Sequence, residues 1–420
     1  MTGTDPVPVA FVHIGEEVHR RMPEVARAMT DLIIEKEPPL GGADILDILA
    51  SSVEGNLETI SQLLRNGIPV DEARPSTAAI RYAHRLAERG IPADQLRRAY
   101  HLGSEGGRRE IFGIIRDMDC PSRDKLEILH HMDGFLHSYI DWMSGEILTA
   151  YETEARRIRD YSASATASLI REVLTGTEVA DRAFEHTAQY RLDQRHRAAV
   201  LWIDQANPAV DYTSQLATQV RRIARGAGFA GPTLFTAVDR GTAWVWFSVR
   251  DADPVAGASG LLAGMPAARI AFGAPESGRE GFRRSHRQAL AAERVARTAV
   301  VEDPVPLSYD DPGVALATLL TSDMPEIRRW VAEELGGLAE QTPTAERLRE
   351  TYSRFLETGS SYTRTGEAMR LHRNTVKYRI GQAQGLLPER PQRTGAELSL
   401  ALRLCALLGA AVLTAAPGDR

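Results

Sequence analysis

Apolar residues recur every three or four positions from residue 10 to about residue 155, with almost no period-two alternation, which predicts an all-helical region. Helix breakers punctuate it. Prolines at 38 and 39 with glycines at 41 and 42, then Pro69, Pro75, Pro92 and Pro121, fall near the ends of amphipathic runs. In STAAIRYAHRLAERG, residues 76–90, Ser76 is placed to cap, Ile80, Ala83, Leu86 and Ala87 share a face, and Gly90 can close the helix. Residues 91–115 predict the next helix, on which Arg97, Arg98, Tyr100 and His101 read as solvated in preference to lining a sensory pocket. YETEARRIRDYSASATASLIREVLT, residues 151–175, predicts one long helix with a polar middle, suited to joining domains.

The period changes near residue 197. RAAVLWID (197–204) predicts a strand, SQLATQVRRIARGAG (214–228) a helix, and TLFTAVDRGTAWVWFSV (233–249) a hairpin turning at Asp239, Arg240 and Gly241. ARIAFG (268–273) reads as a further strand and GREGFRRSHRQALAAERVAR (278–297) as a strong helix. This order predicts an α+β domain with a mostly antiparallel sheet.

After a helix expected at about 312–338, residues 344–387 divide into three helical pieces. Leu348, Tyr352, Phe355 and Leu356 face one way on the first, which stops at Gly359. A short helix around residues 363–369, a turn through Arg370 and Leu371, and a helix opening at His372 or Arg373 complete a helix-turn-helix layout. At about 100° per residue, Val376, Ile380, Ala383 and Leu387 form one buried stripe on the last helix. Asn374, Tyr378, Gly381 and Gly385 point nearly opposite, Thr375, Lys377 and Gln382 sit on the shoulders, and Arg373 and Arg379 flank the seam.

The length of 420 residues suggests about three domains. A 43% hydrophobic and 25% charged composition is that of a globular protein. The net charge of -6 argues against a generic polyanion binder, so the distribution of charge decides. Between Ser360 and Leu386 stand five basic residues (Arg364, Arg370, Arg373, Lys377 and Arg379) and one acid, Glu367, and no acid lies between Asn374 and Leu387. A merely solvated helix face would mix in carboxylates for solubility and i, i+4 pairs, so their absence favours a polyanion partner. Cys120 and Cys405 are too few for a disulfide framework or a clustered zinc site, which predicts a reducing, cytoplasmic setting. The amino terminus lacks a basic start and apolar core, so no secretory signal is expected. Residues 398–416 approach the length of a membrane span, but Arg403 interrupts them, and a buried terminal helix is expected in place of a membrane segment.

The exposed side-chain types suit double-stranded DNA. Asn pairs bidentately with adenine, Lys and Arg reach guanine or phosphate, Thr contacts a base edge or the thymine methyl, and Tyr donates to phosphate. GSSYTRTGEAMRLHRNTVKYRI, followed by ELSLALRLCALL, resembles the carboxyl-terminal helix-turn-helix domain of PucR/CdaR-type transcriptional regulators. Residues 197–300, with GREGFRRSHRQALAAERVA, resemble the degenerate GGDEF-like domain of that family, and AHRLAERGIPADQLRRAYHLG (83–103) resembles the RsbT co-antagonist-like sensor domain of many members. Carried over, the resemblance implies that His372, Arg373, Asn374, Thr375, Lys377, Tyr378 and Arg379 face DNA, with Val376 packing inward; the basic patch adds Arg364. Three departures stand out. Gly366 replaces the more usual alanine at the contact between the two helices, costing about 1 kcal/mol in helix propensity. Arg370 stands in the turn where glycine is common, which predicts a strained left-handed residue or a different turn. Gly381 and Gly385 replace bulkier polar residues.

Active GGDEF proteins are diguanylate cyclases, whose chemistry needs carboxylate-held Mg²⁺. Asp204 could supply one carboxylate, but the hairpin reads VDRGTAWVWF with no glycine pair followed by acids, so Asp204 is expected to be structural. Phosphate-loop, HExxH and CxxC patterns are absent, and His130, His131 and His137 read as solvated and not as metal ligands. The sequence therefore predicts a multidomain protein with an all-α sensor-like domain (10–150), a connector helix (151–190), a GGDEF-like α+β domain (191–305) and an all-α helix-turn-helix domain (340–416). The expected function is sequence-specific DNA-binding regulation by a homodimer or higher homo-oligomer, without catalysis, metal or cofactor. A small-molecule effector is one candidate signal. The alternative is a signalling adaptor that binds partner proteins.

Overall fold

The computed structural model describes residues 6–226, 231–249, 267–300, 305–321, 323–389 and 394–415, with Val255, Ala258, Leu262 and Met265 between them. Residues 1–5, parts of 227–266, residues 301–304 and Ala416, all used in the expectations above, lie outside that description. The chain divides into two compact units, residues 1–163 and 164–420.

The described part of the first unit is helical. Its elements are α1 (Pro6–Lys36), α2 (Leu46–Asn66), α3 (Thr77–Glu88), α4 (Ala93–Asp117) and the first part of α5 (Ser122–Thr175). Ser76 caps α3 as expected, its hydroxyl accepting from the Ala79 N–H at 3.1 Å. Ile14, Leu57, Leu86, Ile115, Met132 and Ile147 belong to one continuous core and are at most 2% exposed. Each fully buried aliphatic side chain of this kind contributes about 1.5–3 kcal/mol.

Helix α5 begins far earlier than the 151–175 reading suggested, at Ser122, and runs for 54 residues. The reason is visible in its packing. Ile128, Met132, Leu136, Tyr139, Met143, Ile147 and Tyr151 are buried at spacings of three and four, and no proline falls between Pro121 and the end of the helix at Thr175. The stripe then ends, and residues 159–164 are exposed on every side, the polar middle that was expected.

In the second unit the end of α5 and α6 (Asp181–Ala188) precede a six-stranded sheet: β1 (Arg195–Ile203), β2 (Thr233–Ala237), β3 (Thr242–Ser248), β4 (Ala268–Phe272), β5 (Glu276–Ser277) and β6 (Leu307–Ser308). The order is β2-β3-β1-β4-β6, with β5 beside β1, and every pairing is antiparallel except β4 with β6. The β2–β3 hairpin turns at 238–241 as read, held by the Asp239 carboxylate accepting from the Gly241 N–H at 2.8 Å.

Alternation along β1 splits the core into two layers, because successive side chains leave opposite faces of a strand. Ala198, Val200 and Trp202 pack with Phe282, Ala289 and Ala292 of α8 (Gly278–Thr298). Ala199, Leu201 and Ile203 pack with Leu216, Val220 and Ile223 of α7 (Thr213–Gly226). A helix covers each face. The seam of α8 against β1 and β4 is tight at Gly273, whose N–H donates to Ala198 O at 2.8 Å. There the Ser285 hydroxyl accepts from the Ala198 N–H (2.8 Å) and donates to Ala274 O (2.7 Å).

The single helix expected at 312–338 is two, α9 (Val314–Leu320) and α10 (Met324–Leu335). Pro325 lacks an N–H and cannot continue a helix from the preceding turn, while Asp323 caps the new one by accepting from the Glu326 N–H at 3.2 Å.

Candidate nucleic-acid interface

Four helices build the carboxyl-terminal region: α11 (Pro343–Glu357), α12 (Tyr362–Met369), α13 (Arg373–Leu386) and α14 (Gly395–Leu408). Each has a side-chain N-cap in its sequence. Thr342 accepts from the Ala345 N–H (3.1 Å), Ser361 from Arg364 (3.4 Å) and His372 Nδ1 from Asn374 (3.3 Å). Thr394 and Glu397 form a reciprocal capping box at the start of α14. That last helix ends at Gly409, and among the described residues no helix is long and apolar enough to cross a membrane.

The turn between α12 and α13 is a Schellman motif. The Leu371 N–H bonds Gly366 O at 2.8 Å and the Arg370 N–H bonds Glu367 O at 3.3 Å, with Arg370 itself left-handed at φ 54°, ψ 41°. An arginine thus carries a backbone conformation that glycine adopts without strain, and the first of the two alternatives read from the sequence is the one found.

Gly366 answers to the same turn. A Cβ on it would lie 2.6 Å from the Leu371 carbonyl oxygen, so a side chain there meets backbone and cannot swing aside. Gly366→Ala is therefore expected to lower stability by about 1 kcal/mol net, the overlap outweighing a helix-propensity gain of about 1 kcal/mol. Calorimetry of the full chain checks this, and a raised melting midpoint would contradict the close approach.

Val376, Ile380 and Ala383 are at most 1% exposed, packed with Leu348, Tyr352 and Phe355 of α11 and Leu398, Ala401 and Leu402 of α14. The predicted stripe is the buried one, with Leu387 partly buried at its end. Thr365 fixes α12 to the end of α11: its hydroxyl lies 2.6 Å from that of Thr358 and donates to Ser361 O at 2.7 Å. The orientation of α13 is thus set from three sides.

On its outer face Arg373, Asn374, Thr375, Lys377 and Tyr378 are exposed, and so are His372 ahead of it and Arg364 on α12. Among the described residues no ion pair engages Arg364, Arg373 or Lys377. Arg379 sits differently. It is half-buried in the seam and donates to Thr351 Oγ1 of α11 at 3.3 Å, so one of its nitrogens is already engaged. Gln382, read as a shoulder residue and left out of the expected contact set, shares a shallow depression with Asn374, Lys377, Tyr378 and Gly381. Its amide donates to the Tyr378 hydroxyl at 3.0 Å. The spacing of four from Tyr378 was the available signal. A Cβ added at Gly381 or Gly385 would meet nothing within 4 Å, so at these two positions the outer surface is bare backbone.

Residues 348–404 match the PucR C-terminal helix-turn-helix domain, residues 175–295 a GGDEF-like domain, and residues 23–165 the RsbT co-antagonist protein RsbRD N-terminal domain. No curated protein matches the chain. Among solved structures, the crystal structure of a regulator of polyketide synthase expression from Bifidobacterium adolescentis is similar over 56% of this chain and 96% of that one, at 17% identity and a TM-score of 0.26. An RsbRD-type helical domain, a GGDEF-like domain and a helix-turn-helix, matched in that order, give this chain the architecture of a PucR-type transcriptional regulator.

Proposed function

We propose that the protein is a cytoplasmic, sequence-specific DNA-binding regulator that acts as a homodimer. Residues 10–150 receive a signal, 151–190 and 191–305 relay it, and 340–416 bind an operator. The observation that carries the reading is the outer face of α13: exposed, basic, free of acids, and held in a fixed orientation by the Schellman turn and by Val376, Ile380 and Ala383. Asn374, Thr375, Lys377 and Tyr378 read base edges and nearby phosphates, while His372, Arg373 and Arg364 approach the backbone. Arg379 reaches the backbone from the seam while Thr351 steadies it. Because paired half-sites are read only when two recognition helices match their spacing, a signal acts by changing that spacing.

The test is selection of genome fragments by the purified full chain at physiological salt. Enrichment of one short, two-fold related sequence is expected, with affinity falling steeply as salt rises. Absence of any enriched sequence would transfer the reading to an adaptor that binds partner proteins.

We also propose that the GGDEF-like region is not catalytic. The Asp204 carboxylate lies 3.7 Å from the Arg269 guanidinium, the Asp239 carboxylate is engaged by its own turn, and among the described residues no group of three or more His, Cys, Asp or Glu side chains could hold a metal ion. Incubation with GTP and Mg²⁺ is expected to yield no cyclic dinucleotide; a metal-dependent product would overturn this.

A further inference from the structure

The first unit holds a partly open cavity of about 60 Å³ lined by α1, α2, α4 and α5. Interiors normally pack without such voids, and a water molecule needs only about 10–15 Å³ by this measure, so the space suits roughly four to six non-hydrogen atoms. Its wall is mostly aliphatic, with Met29, Ile33, Val53, Leu57, Ile111 and Leu136 contributing.

Two features of α4 set this void apart from a packing defect. Gly103 and Gly107 lie one turn apart on the cavity side of the helix, and glycine is the poorest helix former after proline. A Cβ at these positions would stand 3.6 and 3.8 Å from the Met29 terminal methyl, which is ordinary contact. Alanine would fit and strengthen the helix, yet both positions carry no side chain where they line the cavity.

The second feature is polar. Three tyrosines line the space, and two have partners: Tyr139 donates to Asn56 O at 3.2 Å, and Tyr82 to Leu40 O at 3.3 Å. The third, Tyr100, was expected to be solvated, yet its hydroxyl is buried and completes no hydrogen bond of normal geometry. Burial pushes its pKa up to about 12, against a downward pull from weak hydrogen bonding with the Asn56 and Ser52 side chains, so it keeps its proton and remains a donor at physiological pH. Arg108 Nε in the same wall is also buried, and pairs with the Asp133 carboxylate 3.5 Å away. A buried hydroxyl as poorly paired as that of Tyr100 is costly, and it calls for a better acceptor.

We propose that this cavity is the ligand site of the helical domain. It takes a compact, mainly apolar molecule with one oxygen acceptor, a short-chain carbonyl compound, seated against the two glycines with its oxygen on the Tyr100 hydroxyl. The apolar wall and the Arg108–Asp133 pair favour a neutral ligand over a carboxylate, since an uncompensated charge is costly to bury. This deepens the regulator reading and rests on it for its consequence, that occupancy is the signal.

The test uses the full chain without DNA, with 2-butanone and butanoate as probes in calorimetric titration and thermal unfolding. Millimolar 2-butanone is expected to raise the melting midpoint in a saturable way, as a ligand of the folded state must. Tyr100→Phe should weaken binding roughly two- to tenfold, the worth of one hydrogen bond. The double variant Gly103→Ala/Gly107→Ala should melt above the parent yet lose the response. Tighter binding of butanoate than of 2-butanone would overturn the assignment of a neutral ligand. No saturable response to either probe, or an undiminished response in the glycine double variant, would overturn the proposal. Because no operator is present, failure here leaves the DNA-binding test intact, and failure there leaves this one intact.

Discussion

Replacing Gly273 with alanine is expected to destabilise the second unit by about 3 kcal/mol or more, at the upper end of what overpacking costs. The added Cβ would fall 1.9 Å from the Ser285 carbonyl oxygen and 2.7 Å from its carbonyl carbon, both backbone atoms of α8. No rotamer relieves such a contact. Either α8 lifts from the sheet, pulling Phe282 away from Trp246, with which it stacks at 4.3 Å between ring centroids, or β4 moves and the bond from Gly273 to Ala198 breaks. Urea unfolding followed by tryptophan fluorescence reports directly, since Trp202, Trp244 and Trp246 all lie in this layer. Gly385→Ala is the matched control, because its Cβ meets nothing within 4 Å and the helix gains up to about 1 kcal/mol. Equal midpoints for the two variants would mean that the seam is looser than described.

The second large effect concerns recognition. Asn374→Ala should weaken binding to the selected operator by about 1–3 kcal/mol, roughly five- to 150-fold, and relax preference at one base position while leaving binding to unrelated DNA nearly unchanged. The fold should tolerate it. The Asn374 side chain is exposed, and the His372 cap engages its backbone N–H, which alanine retains. Lys377→Ala, on the same face, should act on all sequences alike and reduce the slope of log affinity against log salt by about one if its ammonium neutralises a phosphate. A uniform loss across all DNA for Asn374→Ala would remove it from base reading.

Much of this was legible in the chain because it is written locally. The cap at Ser76, the stripe of Val376, Ile380 and Ala383, and the switch from a period of 3.6 to a period of two near residue 197 depend on neighbours a few positions away. What was missed needs distant partners. Tyr100 looks like a solvated helix residue until Asn56 and Leu136, far away in sequence, are placed around it. Arg379 has the composition of a DNA contact, and only the packing of α13 on α11 shows that Thr351 holds one of its nitrogens. Likewise Gly366 could be read as a helix-packing residue at a propensity cost, but its true constraint is a carbonyl five residues later in the turn.

The two open glycines of α13 bear on how such a protein could be rewritten. Positions 381 and 385 face outward one turn apart, have room for a Cβ with nothing within 4 Å of it, and would pass from the poorest common helix former to a better one with almost any replacement. Diversifying them should not trade stability for novelty, the usual penalty of altering a binding surface. The second half of this helix is in effect a blank line: a library at those two sites could extend or redirect the reader's vocabulary while the buried stripe, the caps and the turn that aim it are left as they are.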